Sequence, residues 1–207
     1  MFAQRRLQAE ATQKARLLRE LGLACATGIT PEAFGSSPTD NKDGGTDAPF
    51  RWEDGRIHAL PQDYADMLGW ERIAGLVQQA VEAGADPDGT VIFAENYGQA
   101  GAIEHYTGRL VISFSDSYRL WVPDSLPASF STLVYVNDER GADLDSLFSD
   151  IRLIGTLDET EARELGTTVW LYRLPDPAIR AFYADRVASV QALFRRRPGK
   201  RRPPSGD

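Results

Sequence analysis

Three short runs of mainly apolar residues, at 90–94 (TVIFA), 110–114 (LVISF) and 131–136 (STLVYV), constrain the fold more than any other feature. Runs of this length and composition are typical of strands buried on both faces of a parallel sheet. The residues at 98–106, between the first two runs, suit a helix, and parallel strands need such a crossover. The pattern therefore predicts an α/β layer around a parallel sheet.

Two further strands are predicted at 151–157 and 167–174, and further helices at 64–83 and 177–194. The two strands are close enough in sequence to form an antiparallel edge. Gly69 is a position at which the first of these helices could divide. We therefore expect an α/β fold, a three-layer sandwich with a mostly parallel sheet of about five strands and an antiparallel edge, plus N- and C-terminal helices.

Composition divides the chain into four segments. Residues 1–24 predict an amphipathic helix, which could pack on the body or a partner helix, remain frayed, or touch a membrane surface. Residues 25–57 are rich in Gly, Pro and Ser and predict a flexible linker. The α/β domain is expected at 58–194, and residues 195–207 predict a disordered basic tail.

The formal net charge of −7 is unevenly distributed. Residues 1–20 carry +3 and residues 195–207 carry +5, so the remainder of the chain carries −15. An acidic body argues against nucleic-acid binding through the folded domain, whereas the basic tail suits contact with anionic surfaces.

The chain has one cysteine, Cys25, and two histidines, His58 and His105. These counts exclude an internal disulfide and a zinc centre built on cysteine, so we expect no metal and no cofactor. No apolar stretch reaches the roughly 20 residues that a membrane-spanning helix needs. Polar residues also follow Arg5 and Arg6, where a signal peptide needs an apolar core, so the sequence as written predicts a cytoplasmic protein.

Polar and aromatic side chains follow the first and second predicted parallel strands. Open α/β sheets bind ligands beyond the carboxyl ends of such strands, and aromatic faces beside hydrogen-bonding groups suit a sugar or another polar ring. We therefore expect a ligand-binding surface, for example for a glycan, in these two turns. Its candidate residues are Glu95, Asn96, Tyr97, Ser115, Asp116, Tyr118 and Trp121.

Structural roles compete with these binding roles. Asn96 precedes a predicted helix and could cap it by accepting a backbone N–H, instead of contacting a ligand. Tyr118 and Trp121 are three residues apart and could both face the core. The nearby Gly98 and Gly101 lack the spacing of a phosphate-binding loop.

Carboxylate catalysis is an alternative from another function class. A small standalone hydrolase or sugar-modifying enzyme could use Glu95, Glu104 or Asp116, provided that two carboxylates face each other across a substrate. A deep cleft with Glu95 facing Asp116 would favour this alternative. His105 adjoins Glu104 on one predicted helix, where neighbouring side chains point about 100° apart, so these two cannot form a dyad.

Two stretches carry a resemblance to a known family. Residues 60–71 (LPQDYADMLGWE) place Pro-Gln, Asp and Gly-Trp before a helix, and residues 91–103 (VIFAENYGQAGAI) form a strand that ends in an Asn-Tyr-Gly-x-Ala-Gly-Ala turn. With the Tyr-x-x-Trp pattern at 118–121, they resemble the soluble C-terminal domain of bacterial multi-pass glycosyltransferases of the dolichyl-phosphate-mannose protein mannosyltransferase type. The resemblance covers about residues 58–174.

Members of that family catalyse with acidic residues of an N-terminal multi-helix membrane region, which also holds the lipid-linked sugar. The present sequence contains no such region. The resemblance therefore implies a non-catalytic accessory domain that contacts a membrane glycosyltransferase subunit or a glycan, and that lies outside the cytoplasm if it acts as the family domain does. The family's Ser-Gly-His-Asn-like turn is replaced by residues 113–116 (SFSD), so any role of that histidine is absent.

Overall fold

A computed structural model describes residues 48–84 and 86–195. The predictions for the helix at 1–24, for the linker up to residue 47 and for the tail from residue 196 lie outside these residues. The chain divides into two compact units, residues 1–65 and 66–207.

The described part of the first unit is a small hairpin followed by one helical turn. A 3₁₀-helix spans Ala48–Phe50, Arg51 pairs with Ile57 in an antiparallel bridge, and helix α1 spans Gln62–Ala65. The rings of Trp52 and His58 stack with their centroids 3.6 Å apart. Residues 48–57, which the sequence assigned to a linker, therefore have local hydrogen-bonded structure.

The second unit contains a five-stranded sheet and three helices among its described residues. The strands are β1 (Thr90–Ala94), β2 (Val111–Ile112), β3 (Thr132–Asn137), β4 (Phe148–Thr156) and β5 (Thr168–Pro175). The α-helices are α2 (Trp70–Gly84), α3 (Tyr97–Thr107) and α4 (Ile179–Arg195). Short 3₁₀-helices span Asp116–Leu120 and Ala142–Leu147.

The strand order is β2-β1-β3-β5-β4. Strand β1 pairs in parallel with β2 and with β3, whereas β5 pairs antiparallel with β3 and with β4. This confirms the predicted α/β fold with five strands and an antiparallel edge. The parallel pairing is limited to β2, β1 and β3.

Alternation along the central strands divides the core into two layers. Ile92 and Ala94 of β1 lie in one cluster with residues of α2 and α3, whereas Val91 and Phe93 contact the other cluster, which contains Ile179, Tyr183 and Val187 of α4. Successive strand residues point to opposite faces, so the alternation places helices on both sides of the sheet. The result is the predicted three-layer arrangement.

Three predicted elements differ from the structure. Strand β4 begins at Phe148, three residues before the strand predicted at 151–157. The helix predicted at 64–83 is divided into α1 and α2, because Gly69 between them adopts a left-handed conformation (φ +85°). The strand predicted at 110–114 was too long, since β2 holds only Val111 and Ile112. Beyond it, Ser113 Oγ accepts the backbone N–H of Ser115 (3.1 Å), and this hydrogen bond turns the chain away from the sheet.

Candidate functional site

The carboxyl ends of β1 and β3 form the switch point of the sheet, because β2 pairs with one edge of β1 and β3 pairs with the other. The connection from β1 to β2 runs through α3 on one face, whereas the connection from β2 to β3 contributes Leu126 and Phe130 to the core on the other face. Glu95 directly follows β1, and its backbone N–H donates to the carbonyl of Val136 on β3 (3.1 Å). Such a switch point is where open α/β sheets bind ligands.

A cavity of about 430 Å³ runs along β1 and β3 on the face that carries α4, from Val91 and Leu133 near their amino ends to Glu95 at the carboxyl end of β1. Its volume falls in the range of roughly 300–1,000 Å³ that is usual for ligand pockets. The sheet contributes mainly apolar side chains, and aromatic residues from other elements complete the walls. The principal apolar residues are Val91, Phe93, Ile112, Phe114, Leu126, Phe130, Leu133, Ile179, Phe182 and Val190.

The cavity explains an asymmetry in the burial of the central strand. Ile92 and Ala94 of β1 are 3% and 0% exposed on the α2–α3 face. Val91 and Phe93, on the opposite face of the same strand, are only half-buried, as is Ile112 of β2. Large apolar side chains of a central strand are therefore left in contact with open space.

Polar contacts hold α4 along the border of the cavity. The Arg180 guanidinium donates to the carbonyls of Leu126 (3.1 Å) and Pro127 (3.0 Å), and the Tyr183 hydroxyl donates to the carbonyl of Pro123 (2.8 Å). These contacts join the helix to the β2–β3 connection. Burial, with a smaller effect of the Asp124 charge, raises the pKa of Tyr183 to about 12.

A hydrogen-bonded pair forms the polar end of the cavity. The Tyr135 hydroxyl donates to Glu95 Oε1 (2.9 Å), and Asn137 Nδ2 donates to the same hydroxyl oxygen (3.4 Å). Burial and the neighbouring Glu95 charge raise the pKa of Tyr135 well above its usual range. The phenol therefore stays protonated and acts as a donor, which leaves Glu95 as the acceptor at this end.

The other polar groups that border the cavity also have partners. Arg186 and Asp143 form an ion pair (3.0 Å), and the guanidinium lies over the Phe182 ring at 5.5 Å. Ser189 Oγ donates to the carbonyl of Asp185 (2.8 Å). The cavity lining contains no histidine or cysteine, and no cluster of metal-ligating side chains is found in residues 48–84 and 86–195.

The first predicted turn contributes one residue to the cavity. Glu95 lines it, whereas Asn96 caps α3 by accepting the backbone N–H of Gly98 at Oδ1 (2.6 Å). Tyr97 begins the helix, is 55% exposed and does not line the cavity. The capping interpretation of Asn96 is therefore the one that the structure supports.

The second predicted turn lies outside the cavity lining. Ser115 is half-buried, and Asp116 is an exposed residue of the following 3₁₀-helix with φ +43°. Tyr118 packs against the core on the α2–α3 face, so its core interpretation holds. Trp121 is 72% exposed and does not share that packing.

Glu104 has a structural role beside this turn. Its Oε2 accepts the Tyr118 hydroxyl (2.8 Å), and its Oε1 accepts the backbone N–H of Val111 (3.0 Å). Burial and the Glu104 carboxylate raise the pKa of Tyr118 to about 12. The contacts join α3, β2 and the 3₁₀-helix Asp116–Leu120.

Several cavity residues were missed from the sequence. Tyr135 and Phe93 were assigned to buried strands, and the residues of α4, among them Phe182 and Arg186, were assigned only to a helix. An apolar run does not indicate whether its residues are fully buried or half-buried, because the same residue types face a packed helix or a cavity.

Comparison with known protein families, curated proteins and solved structures gives no match to this chain. Among the helices of residues 48–84 and 86–195, none combines the length and the hydrophobicity that crossing a bilayer requires.

Proposed function

We propose that this protein is a non-catalytic binding domain and that the cavity beside α4 is its binding site. The observation that carries the proposal is a largely apolar cavity of about 430 Å³ that runs along β1 and β3 and reaches the switch point between them at Glu95. The resemblance of residues 60–71 and 91–103 to the soluble domain of bacterial polyprenyl-phosphate-sugar glycosyltransferases supports an accessory role. In this proposal the domain works beside a membrane glycosyltransferase subunit, outside the cytoplasm.

The arrangement of the acidic residues favours binding over hydrolysis. A carboxylate-based hydrolase needs two acids that face each other across the substrate. Of the three candidates, Glu95 lines the cavity, whereas Glu104 is hydrogen-bonded to Tyr118 and Val111 and Asp116 lies outside the lining. The second carboxylate of the lining, Asp143, is ion-paired with Arg186 (3.0 Å). The cavity-lining Glu95 is itself engaged by the Tyr135 hydroxyl.

A glycan is a second candidate ligand, at the turns after β1 and β2. Tyr97 and Trp121 are 55% and 72% exposed, and exposed aromatic faces suit stacking against sugar rings. Glycan binding that is lost on replacement of Trp121 by alanine, and not on filling the cavity, would favour this surface.

The cavity proposal is tested with a neutral apolar probe, 1-octanol, by calorimetry and by NMR of the methyl groups. Ser189 borders the cavity from an exposed position on α4, so Ser189→Trp should fill it without disturbing the core. Ala188→Trp is the matched control, because Ala188 is an exposed neighbour on the same helix that does not line the cavity.

We expect 1-octanol to bind the wild-type chain and the Ala188→Trp variant, and to bind Ser189→Trp much more weakly. Equal binding to all three, or no binding to the wild-type chain, would overturn the cavity as the site. The non-catalytic role is tested separately with a polyprenyl-phosphate-linked mannose donor and a peptide acceptor. Sugar transfer by the purified chain, lost on replacing an acid within residues 60–174, would contradict it.

A further inference from the structure

We propose that the cavity selects a cationic amphiphile, with an apolar body against the aromatic walls and an ammonium or similar donor-only head at Glu95. The inference rests on the proposed function, since it specifies the ligand class of the same site. It follows from the apolar surface left open on β1 and β2, from the hydrogen bonding of Glu95, and from the charge of the lining.

The apolar body follows from the half-buried side chains of the sheet. Val91, Phe93 and Ile112 face the cavity, and Phe114 and Phe182 add aromatic surface around them. Covering apolar surface of this kind is favourable by about 25 cal/mol for each Å² removed from water. A ligand with an extended or ring-shaped apolar body gains this binding free energy when it covers the surface.

The position of the head group follows from the surroundings of Glu95. The Tyr135 hydroxyl occupies Oε1, and no hydrogen bond to Oε2 is found among the described residues. The backbone N–H of Glu95 donates to Val136, which holds the residue at the end of β1. A carboxylate accepts hydrogen bonds only, so a head group at Glu95 has to be a donor.

The sign of the charge follows from the other ionisable groups at the border. Glu95, Asp143 and Arg186 are the carboxylates and basic side chains of the lining, and their formal charges sum to −1. The single cation, Arg186, is already paired with Asp143. An anionic head would meet Glu95 without a free counter-charge, whereas an ammonium would form a charge-assisted hydrogen bond there.

Three probes with one eight-carbon chain separate these contributions: n-octylamine, 1-octanol and octanoate, each below its micelle concentration and at neutral pH. Dissociation constants are measured by calorimetry on the full chain. We expect octylammonium to bind about tenfold more tightly than octanoate, since a charge-assisted hydrogen bond contributes that order of affinity.

The variant Glu95→Gln tests the assigned head-group acceptor. It should reduce the preference for octylammonium over octanoate to less than about threefold, because an amide lacks the charge. Glu71→Gln is the matched control: it removes the same charge from an exposed position on α2, outside the cavity lining, and should leave the preference intact.

The outcomes distinguish this inference from the proposed function. If 1-octanol binds, Ser189→Trp blocks it, and octanoate binds as well as octylammonium, the ligand class is wrong and the cavity remains the site. An amine preference that Glu71→Gln and Glu95→Gln reduce equally reflects overall charge and also overturns the inference. If filling the cavity affects no probe, the proposed function itself fails.

Discussion

The hydroxyl of Tyr135 on β3 donates a hydrogen bond of 2.9 Å to the carboxylate of Glu95, which follows the neighbouring strand β1. The two residues are 40 positions apart in the chain. Tyr135 is 6% exposed and Glu95 is exposed, so the bond connects the core of the sheet to the border of the cavity. The bond therefore holds the Glu95 carboxylate in a fixed position at the end of β1.

Loss of this hydrogen bond should destabilise the domain. We expect Tyr135→Phe to lower the free energy of unfolding by about 1 kcal/mol, because the ring still packs and only the hydroxyl is lost. Urea unfolding followed by tryptophan fluorescence measures the change. Tyr97→Phe, at an exposed position, should have no measurable effect. Equal effects of the two substitutions would show that the Tyr135–Glu95 bond contributes nothing.

Buried tyrosines should make the domain sensitive to alkaline pH. The pKa of Tyr183 is raised from 10.0 to about 12. Between these values the unfolded chain has lost the phenolic proton and the folded chain retains it, so stability falls as the pH rises. Each such tyrosine contributes a slope of about 1.4 kcal/mol per pH unit.

We therefore expect the free energy of unfolding of Tyr183→Phe to decline less steeply than that of the wild-type chain between pH 10 and 12. Urea unfolding at half-unit steps of pH measures the slope. The exposed Tyr97→Phe should retain the wild-type slope. A slope unchanged in Tyr183→Phe would contradict the assigned pKa.

The cap of α3 depends on the acceptor of Asn96 and should tolerate aspartate. Asn96→Asp keeps an oxygen that accepts the Gly98 N–H and suits the positive end of the helix, so we expect nearly unchanged stability. Asn96→Ala removes the acceptor and should cost about 0.5–2 kcal/mol. Thermal unfolding of the two variants makes the comparison, and a destabilised Asn96→Asp would mean that the amide group of Asn96 is needed.

Two glycines should respond oppositely to replacement by alanine. A Cβ at Gly89 would lie 2.6 Å from the carbonyl oxygen of Ser129, so Gly89→Ala should cost about 1–3 kcal/mol through the displaced backbone. Gly75 lies in α2 with nothing within 4 Å of its Cβ position, so Gly75→Ala should add about 0.5–1 kcal/mol. Chemical unfolding measures both, and a neutral Gly89→Ala would show that the turn adjusts.

Local patterns in the sequence were sufficient for the type and order of the main elements of the fold, but not for all of their boundaries. The apolar run at 90–94 corresponds to β1, and the prediction that Asn96 could cap the next helix depends on a contact only two residues along the chain. The shortening of β2 was missed because it depends on a side-chain hydrogen bond between Ser113 and Ser115, which competes with the continuation of the strand.

The candidate site was predicted less completely. Glu95 was named from its position at the end of a strand, a rule that holds for parallel sheets in general. Tyr118 and Trp121 were named for the same reason, but the 3₁₀-helix Asp116–Leu120 directs the Tyr118 ring to the core and leaves Trp121 exposed. The rule locates the end of a strand and does not specify the direction of the chain beyond it.

The sequence by itself determined the layer architecture. The apolar runs of buried strands and the apolar stripes of helices are local patterns, so they can be recognised without the tertiary structure. Only the tertiary structure decided where the cavity lies. Val91 on β1 and Val190 on α4 border the same space, although 99 positions separate them in the chain. The apolar pattern indicates that a side chain faces inward. The distance from the strand to the opposing helix depends on how whole elements pack, and this distance determines whether the space between them is a closed core or a cavity.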